Sequence, residues 1–274
     1  MTTALRLWRE QLAAWAIPPR ILEAATESPW TLPPQVFARR ADRYIGEPAG
    51  PSHARAAEAL DPPGSLLDVG AGAGAASLPL HDRVTALTAV DTSEEMLGQL
   101  IVRAERLGVP TRVVCGRWPD VAVRVPAADV VVCHHVFYNA PDLADFALAL
   151  QRHARRRVVV ELTAAHPMRA LNPLWLRLHG VTRPAGPTAA DAAAVLREAG
   201  IEPNGEAWRR PSGSEYGSFD ELVEATRRRL CLPDERRPEV VEALLDLGVD
   251  PAHPMDLGSA GRELVTLWWD LHLQ

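Results

Sequence analysis

The sequence predicts an α/β fold, a doubly wound and mostly parallel seven-stranded sheet preceded by a helical extension. Three observations predict it. Apolar runs at 65–69, 86–90, 111–114, 129–133 and 157–161 alternate with amphipathic helical stretches, the pattern of parallel strands joined by crossover helices. The first run ends in Asp68-Val69 and a turn with glycine at alternate positions, Gly70, Gly72 and Gly74. Such a turn lets the backbone reverse tightly and approach a ligand closely. The second run ends in Asp91, about 20 residues beyond the turn, where a carboxylate can hold ribose hydroxyls. A bare strand-to-helix turn would need neither acid.

Composition narrows the class. A chain of 274 residues can bury a full core as one α/β domain with an accessory segment. The net charge of −6 argues against a broad nucleic-acid surface. All of the basic side chains are arginine. The runs Arg39-Arg40, Arg155-Arg156-Arg157 and Arg227-Arg228-Arg229 read as solvated helix faces or ends. No apolar run approaches the roughly 18 residues of a membrane span, and the N-terminus is charged too early for a secretory signal, so a cytoplasmic location is expected. Cys115, Cys133 and Cys231 lie far apart, which fits small buried thiols better than a disulfide framework or thiolate zinc site.

The elements follow in order. Residues 1–50 form a helical extension in which Leu5, Trp8, Leu12 and Trp15 share a face, and Pro18-Pro19 ends that helix. Further helices are expected at 21–25 and 35–43, with Trp30, Phe37 and Tyr44 close to Pro33-Pro34. Docking onto the main body explains this segment; so does a lid over a substrate pocket. A helix over 51–60 has Ser52 as its expected N-cap. Ser93 caps a helix that Gly108 and Pro110 end. Helices follow at 142–153 and 171–179, and Thr188 with Asp191 resembles a capping box for the next, which Gly200 ends. Strands are expected at 201–209 and 263–269, separated by an insertion at about 211–258 with helices near 219–230, capped by Ser218 and Glu221, and 236–247.

Taken together, Asp68-x-Gly70-x-Gly72-x-Gly74, Asp91 and the strand running into His134-His135-Val136-Phe137-Tyr138-Asn139 resemble the class I S-adenosylmethionine-dependent methyltransferases, above all their small UbiE-like branch. The resemblance spans about 51–274 and implies the Rossmann-like methyltransferase fold with a reversed seventh strand. It implies that Gly70, Gly72 and Gly74 line the methionine moiety of the cofactor S-adenosyl-L-methionine, with Asp68 near its amino group. By the same resemblance Asp91 and Thr92 serve the ribose, Met96 lies against the adenine, and His134 borders the donor. The acid that many relatives carry after the third strand is replaced here by Gly116-Arg117-Trp118, so adenine recognition falls to backbone contacts, to a Trp118 wall or to Asp120.

A dinucleotide-dependent dehydrogenase also fits Gly70-x-Gly72-x-x-Ala75. Against it, Asp68 would repel a pyrophosphate, and a second nucleotide-binding half is missing. Ligands of open α/β sheets sit beyond the strands' carboxyl ends, which groups His134, His135, Tyr138 and Asn139 with Glu161, Thr163 and His166. His135, His134 and Tyr138 are the candidate catalytic residues, the histidines because imidazole titrates near neutrality; a ring satisfied by a backbone carbonyl is the plain alternative for each. No metal site is expected. The expected activity is methyl transfer to a small-molecule acceptor. Transfer to RNA or protein, and a non-catalytic donor-binding regulator, stand as alternatives.

Overall fold

In the computed structural model, residues 3–30, 34–47, 50–210, 216–254, 257 and 263–271 are described. The helices are α1 (Thr3–Ala13), α2 (Pro19–Leu22), α3 (Pro34–Gly46), α4 (Gly50–Ala59), α5 (Glu94–Arg106), α6 (Leu143–His153), α7 (Asn172–His179), α8 (Ala189–Glu198), α9 (Phe219–Arg229) and α10 (Arg237–Asp246). The strands are β1 (Gly64–Val69), β2 (Val84–Asp91), β3 (Thr111–Cys115), β4 (Ala128–His134), β5 (Ala154–Thr163), β6 (Asn204–Arg209) and β7 (Glu263–Asp270). They form one sheet in the order β3-β2-β1-β4-β5-β7-β6. β1 to β5 pair in parallel, and β7 runs antiparallel to both its neighbours.

The central strands read as nearly continuous Val and Leu because helices cover both faces of the sheet. Alternate residues divide between the faces. Leu67, Val69, Val131, Cys133, Val158 and Val160 join a core that includes residues of α6, α8 and Trp8. Leu66, Val130, Val132 and Val159 join the opposite core with residues of α4 and α5. Each buried Leu or Val contributes about 1.5–3 kcal/mol relative to exposure, so these two cores hold the strand ends rigidly in place.

A third core, outside the sheet, unites Ile17, Ile21 and Val36 with Leu171, Leu174 and Trp175, and with Leu222, Val223, Val240 and Leu244. Parts of the extension, α7 and the 211–258 insertion therefore share one helical cluster. Short amphipathic helices far apart in sequence carry no signal for that association.

The extension divides. The Trp8 indole is fully buried, donates to the Ala140 carbonyl at 2.9 Å and stacks on Tyr138 at 5.6 Å. Trp15 stacks on His166 at 3.9 Å and donates to the Gly186 carbonyl. The Trp stripe of α1 is thus docked onto the body. α3 instead spans the strand ends, tied to α5 by Asp42–Arg103 at 2.7 Å and to α9 by Arg39–Glu221 at 2.5 Å.

Caps are formed in part as expected. Ser93 accepts from the Met96 amide, and Thr188 with Asp191 forms a complete capping box. Ser218 caps α9, but the Glu221 carboxylate turns to the Gly217 amide and Arg39. Ser52 is no cap: α4 begins at Gly50, and the Ser52 hydroxyl, buried inside the helix, meets Thr266 Oγ1 at 2.7 Å.

Candidate active site

A cavity of about 760 Å³ opens at the carboxyl ends of β1, β2 and β4, with α3 along one side. That volume is ordinary for a small-molecule site. The three turn glycines have different tasks. A Cβ on Gly70 would lie 2.2 Å from Val136 Cγ2, so that glycine permits close packing of the turn after β1 on the turn after β4. A Cβ on Gly74 would strike Leu78, and Gly74 does not line the cavity. Gly72, at φ +51°, lines the cavity and faces open space.

Asp91 fixes this turn. Its Oδ2 accepts from the Gly72 amide at 2.8 Å and its Oδ1 from the Ser93 amide at 2.9 Å. A carboxylate has about four lone-pair positions, so two remain for ligand hydroxyls. Thr92, Met96, Gly116, Arg117 and Trp118 line the same region. Trp118 is buried and anchored by its indole N–H to the Phe146 carbonyl, whereas Asp120 is exposed and lies off the cavity. Asp68 is fully buried behind the turn, off the lining, and neither of its oxygens has a hydrogen-bond partner among the described residues. Burial pushes its carboxyl up to about 7, the neighbouring Asp91 charge adds to this, and the Ser77 hydroxyl opposes it.

The other end of the cavity is polar. β4 places His134 directly opposite Glu161 of β5 in the parallel register. The next residue, His135, has φ +61°, a left-handed conformation uncommon outside glycine. Its amide donates to the Glu161 carbonyl at 2.7 Å, and its Nε2 lies 3.0 Å from Glu161 Oε1. Burial works against charge on Glu161, but the imidazoles of His134 and His135 and the Ser52 hydroxyl outweigh it and hold the carboxyl below its usual range. Burial lowers His134 to about 3, so this ring is neutral at neutral pH, and it is the His135 ring nitrogen that lies against Glu161. His134 packs edge-on to His53, and His53 edge-on to Tyr44 of α3. His134 Nε2 is buried without a hydrogen-bond partner among the described residues.

Tyr138, Thr163 and His166, expected at the site, do not line the cavity. Tyr138 donates to the Thr163 carbonyl at 2.7 Å within the main core, and burial raises its hydroxyl pKa further. His166 lies under Trp15, lowered to about 3 by burial and Arg183. Both support α1 and neither lines the cavity. Arg40, expected on a solvated helix face, is instead buried and lines the cavity, and Phe146 lines it without having been singled out. Arg40 was legible in principle, since Phe37, Arg40 and Tyr44 recur at helical spacing. Phe146 reads only as core in an amphipathic helix.

Among the described residues, the acidic cluster close enough to hold a cation is Glu27, Glu224 and Asp234. The guanidinium of Arg227 already lies 2.5, 2.6 and 2.8 Å from these carboxylates. Cys115 is exposed; Cys133 and Cys231 are buried, and all three are free thiols.

A sheet of this order with an antiparallel seventh strand, a glycine turn pinned by an acid on the next strand and a cavity above both define a nucleotide-type donor-binding α/β enzyme. Residues 67–160 match the family described as "Methyltransferase domain". That match covers about a third of the chain, from within β1 to within β5, and makes this stretch similar to methyltransferase domains, as the resemblance drawn from the sequence implies. This match does not reach to the UbiE-like branch.

Among solved structures, the YcgJ protein from Bacillus subtilis is 17% identical and aligns over 81% of this chain and 99% of its own, with TM-score 0.53, and shares the fold. Magnesium protoporphyrin IX methyltransferase from Synechocystis PCC 6803, with bound S-adenosylhomocysteine, is 17% identical over 66% of this chain and 79% of its own, with TM-score 0.48. The plantazolicin methyltransferase BamL is 15% identical over 97% and 98%, also with TM-score 0.48. No curated protein matches the sequence. Among the described residues no helix is long and apolar enough to cross a membrane.

The site fits S-adenosylmethionine, the cofactor the resemblance implies, by its own features. Gly72 leaves space where a side chain would stand, Asp91 keeps two lone-pair positions open, and the orphaned Asp68 carboxyl lies behind the turn.

Proposed function

We propose that the protein methylates a small-molecule acceptor bound between α3 and the ends of β4 and β5, with His135 as general base. The single observation that carries this reading is the pair formed by the strained His135 and the buried Glu161, set at the inner end of a cavity whose other end is the glycine turn and Asp91.

In this reading Gly70, Gly72, Asp91, Thr92, Met96, Gly116, Arg117 and Trp118 hold S-adenosylmethionine, with Asp68 behind the turn. When bound, it supplies an electrophilic methyl group on a sulfonium, which needs only a nucleophile held in line. The protein's task is positioning, worth up to about 7–11 kcal/mol when reacting atoms are held near 3 Å, and removal of a proton, worth about 10²–10⁴ in rate. Glu161 sits beside His135 Nε2, orients the ring and stabilises it once protonated, which leaves Nδ1 to accept the acceptor's proton. His134, neutral, offers a hydrogen bond and no base. Tyr138 supports the fold from behind.

The arginine runs favour a small acceptor over a nucleic acid. Arg156 and Arg157 meet Asp129, Glu58 and Asp270, and Arg227 and Arg228 meet Glu27 and Glu224, so these runs are charge-matched within the fold.

The test is a donor-binding measurement joined to label transfer from methyl-labelled S-adenosylmethionine into small-molecule and macromolecular fractions. His135→Gln is expected to bind the donor normally and lose about 10²-fold or more in kcat, and Glu161→Gln to shift the acid limb of the pH–rate profile. Label arriving only in protein or RNA, or a His135→Gln enzyme with full kcat, refutes the reading.

A further inference from the structure

The proposed acceptor site has a chemical character of its own, and the inference here rests on that reading of the cavity. Of the chain's eight Trp, three Tyr and four Phe, five line this one cavity: Trp30, Phe37, Tyr44, Trp118 and Phe146. Trp118 and Phe146 pack into the main core beside the donor region. Trp30, Phe37 and Tyr44 belong to the wall opposite the sheet, Phe37 and Tyr44 two turns apart on one face of α3. Trp30 stands 65% exposed at the cavity's edge, a large apolar surface presented to whatever enters. Flat aromatic faces favour a flat aromatic partner, by about 0.5–1.5 kcal/mol per pair beyond area alone.

Charge and acidity narrow the nucleophile. Arg40 lies between Phe37 and Tyr44 on the same helix face, is buried, and bears electrostatically on both Tyr44 and His134. A cation there favours a group that ionises to an anion, while the Glu161 carboxylate is turned to His135. A phenol ionises near 10, and a neighbouring guanidinium lowers that value. An aliphatic alcohol lies close to water's value of about 15.7 and yields its proton to His135 less readily. An aromatic hydroxyl matches base, cation and wall together.

We propose that the acceptor is a flat aromatic compound bearing a hydroxyl group, stacked on the Trp30–Phe37–Tyr44 wall with its hydroxyl directed to His135 and its developing negative charge facing Arg40. In the transfer the acceptor oxygen bonds to the methyl carbon as the carbon–sulfur bond breaks. That electron pair stays on sulfur as a neutral thioether, and the hydroxyl proton passes to His135 and then to solvent.

The experiment uses the full chain and two probes of one skeleton: 2-naphthol and its saturated counterpart, decahydro-2-naphthol. Binding is read by calorimetry with S-adenosylhomocysteine present, and turnover by label transfer. The expected result is binding and O-methylation of 2-naphthol, with the saturated alcohol at least tenfold weaker and not methylated. Trp30→Ala, at an exposed position that cannot unfold the protein, weakens 2-naphthol about tenfold and leaves S-adenosylmethionine affinity unchanged. Arg40→Gln raises the pH at which 2-naphthol turns over. Equal use of the two probes, or preference for an aliphatic amine or thiol over 2-naphthol, overturns this inference while methyl transfer to small molecules stands. Absence of donor binding, or of transfer to any small molecule, overturns the underlying reading and this inference with it.

Discussion

Asp68 offers the sharpest physical test of the site, because its carboxyl is fully enclosed and neither oxygen has a hydrogen-bond partner among the described residues. Its value rises from 3.8 to about 7 on folding, through burial first. The folded state therefore binds this proton more tightly than the unfolded state. The stabilisation is complete below pH 3.8, declines as pH rises toward 7, and is gone above it. One pH unit is worth about 1.36 kcal/mol, so raising the pH from about 5.5 to about 7 costs about 2 kcal/mol of stability. At roughly 2–4 °C per kcal/mol for a chain of this size class, the wild type loses roughly 4–8 °C in Tm over that interval relative to a variant without this titration. Asp68→Asn keeps the shape and removes the titration. Glu161, Asp42, Asp129 and Glu224 all have lowered values, so the stability they contribute is lost only toward acid pH, while the lowered His134 and His166 stabilise the fold as pH rises through the same interval, in each case equally in both proteins. Calorimetric melting of wild type and Asp68→Asn without ligand, at about pH 5.5, 7 and 8.5, should give curves that separate between the first two and run parallel between the last two. Parallel curves throughout would show that Asp68 does not titrate there, and the argument from its enclosure would fall.

Asp91→Ala removes the acceptor of the Gly72 and Ser93 amides, each a charge-assisted bond worth about 1.5–3 kcal/mol. Affinity for S-adenosylmethionine by calorimetry should fall by about 100-fold or more; unchanged affinity would remove Asp91 from the donor site. Trp8→Ala empties a fully buried site and frees the Ala140 carbonyl, at a cost of about 3–5 kcal/mol read by chemical denaturation. A stable Trp8→Ala protein that has lost only acceptor turnover would return α1 to the role of a cover.

How much was legible in the sequence differs from residue to residue for a reason. Periodicity and turn chemistry are local, so the strand runs, the glycine turn, Asp91 and the Ser93 and Thr188 caps could be read from neighbouring residues alone. Ser52 misled because a hydroxyl near a helix start usually serves as a cap, and only the approach of Thr266, far along the chain, gave it another partner. Tyr138 and His166 follow strand ends just as His135 does, but Trp8 and Trp15 cover them, and no local pattern announces which side of a strand end an extension will occupy. The sequence by itself determined a parallel α/β sheet with a donor-binding turn, since alternation of apolar runs and the conformational freedom of glycine are properties of short stretches. Only the tertiary structure decided that His135 turns left-handed against Glu161, that Gly74 serves packing while Gly70 and Gly72 line the cavity, and that α3 brings Phe37, Arg40 and Tyr44 to the strand ends. Those outcomes depend on contacts between segments up to a hundred and more residues apart, made favourable by burial across the whole fold and invisible to any window of the chain.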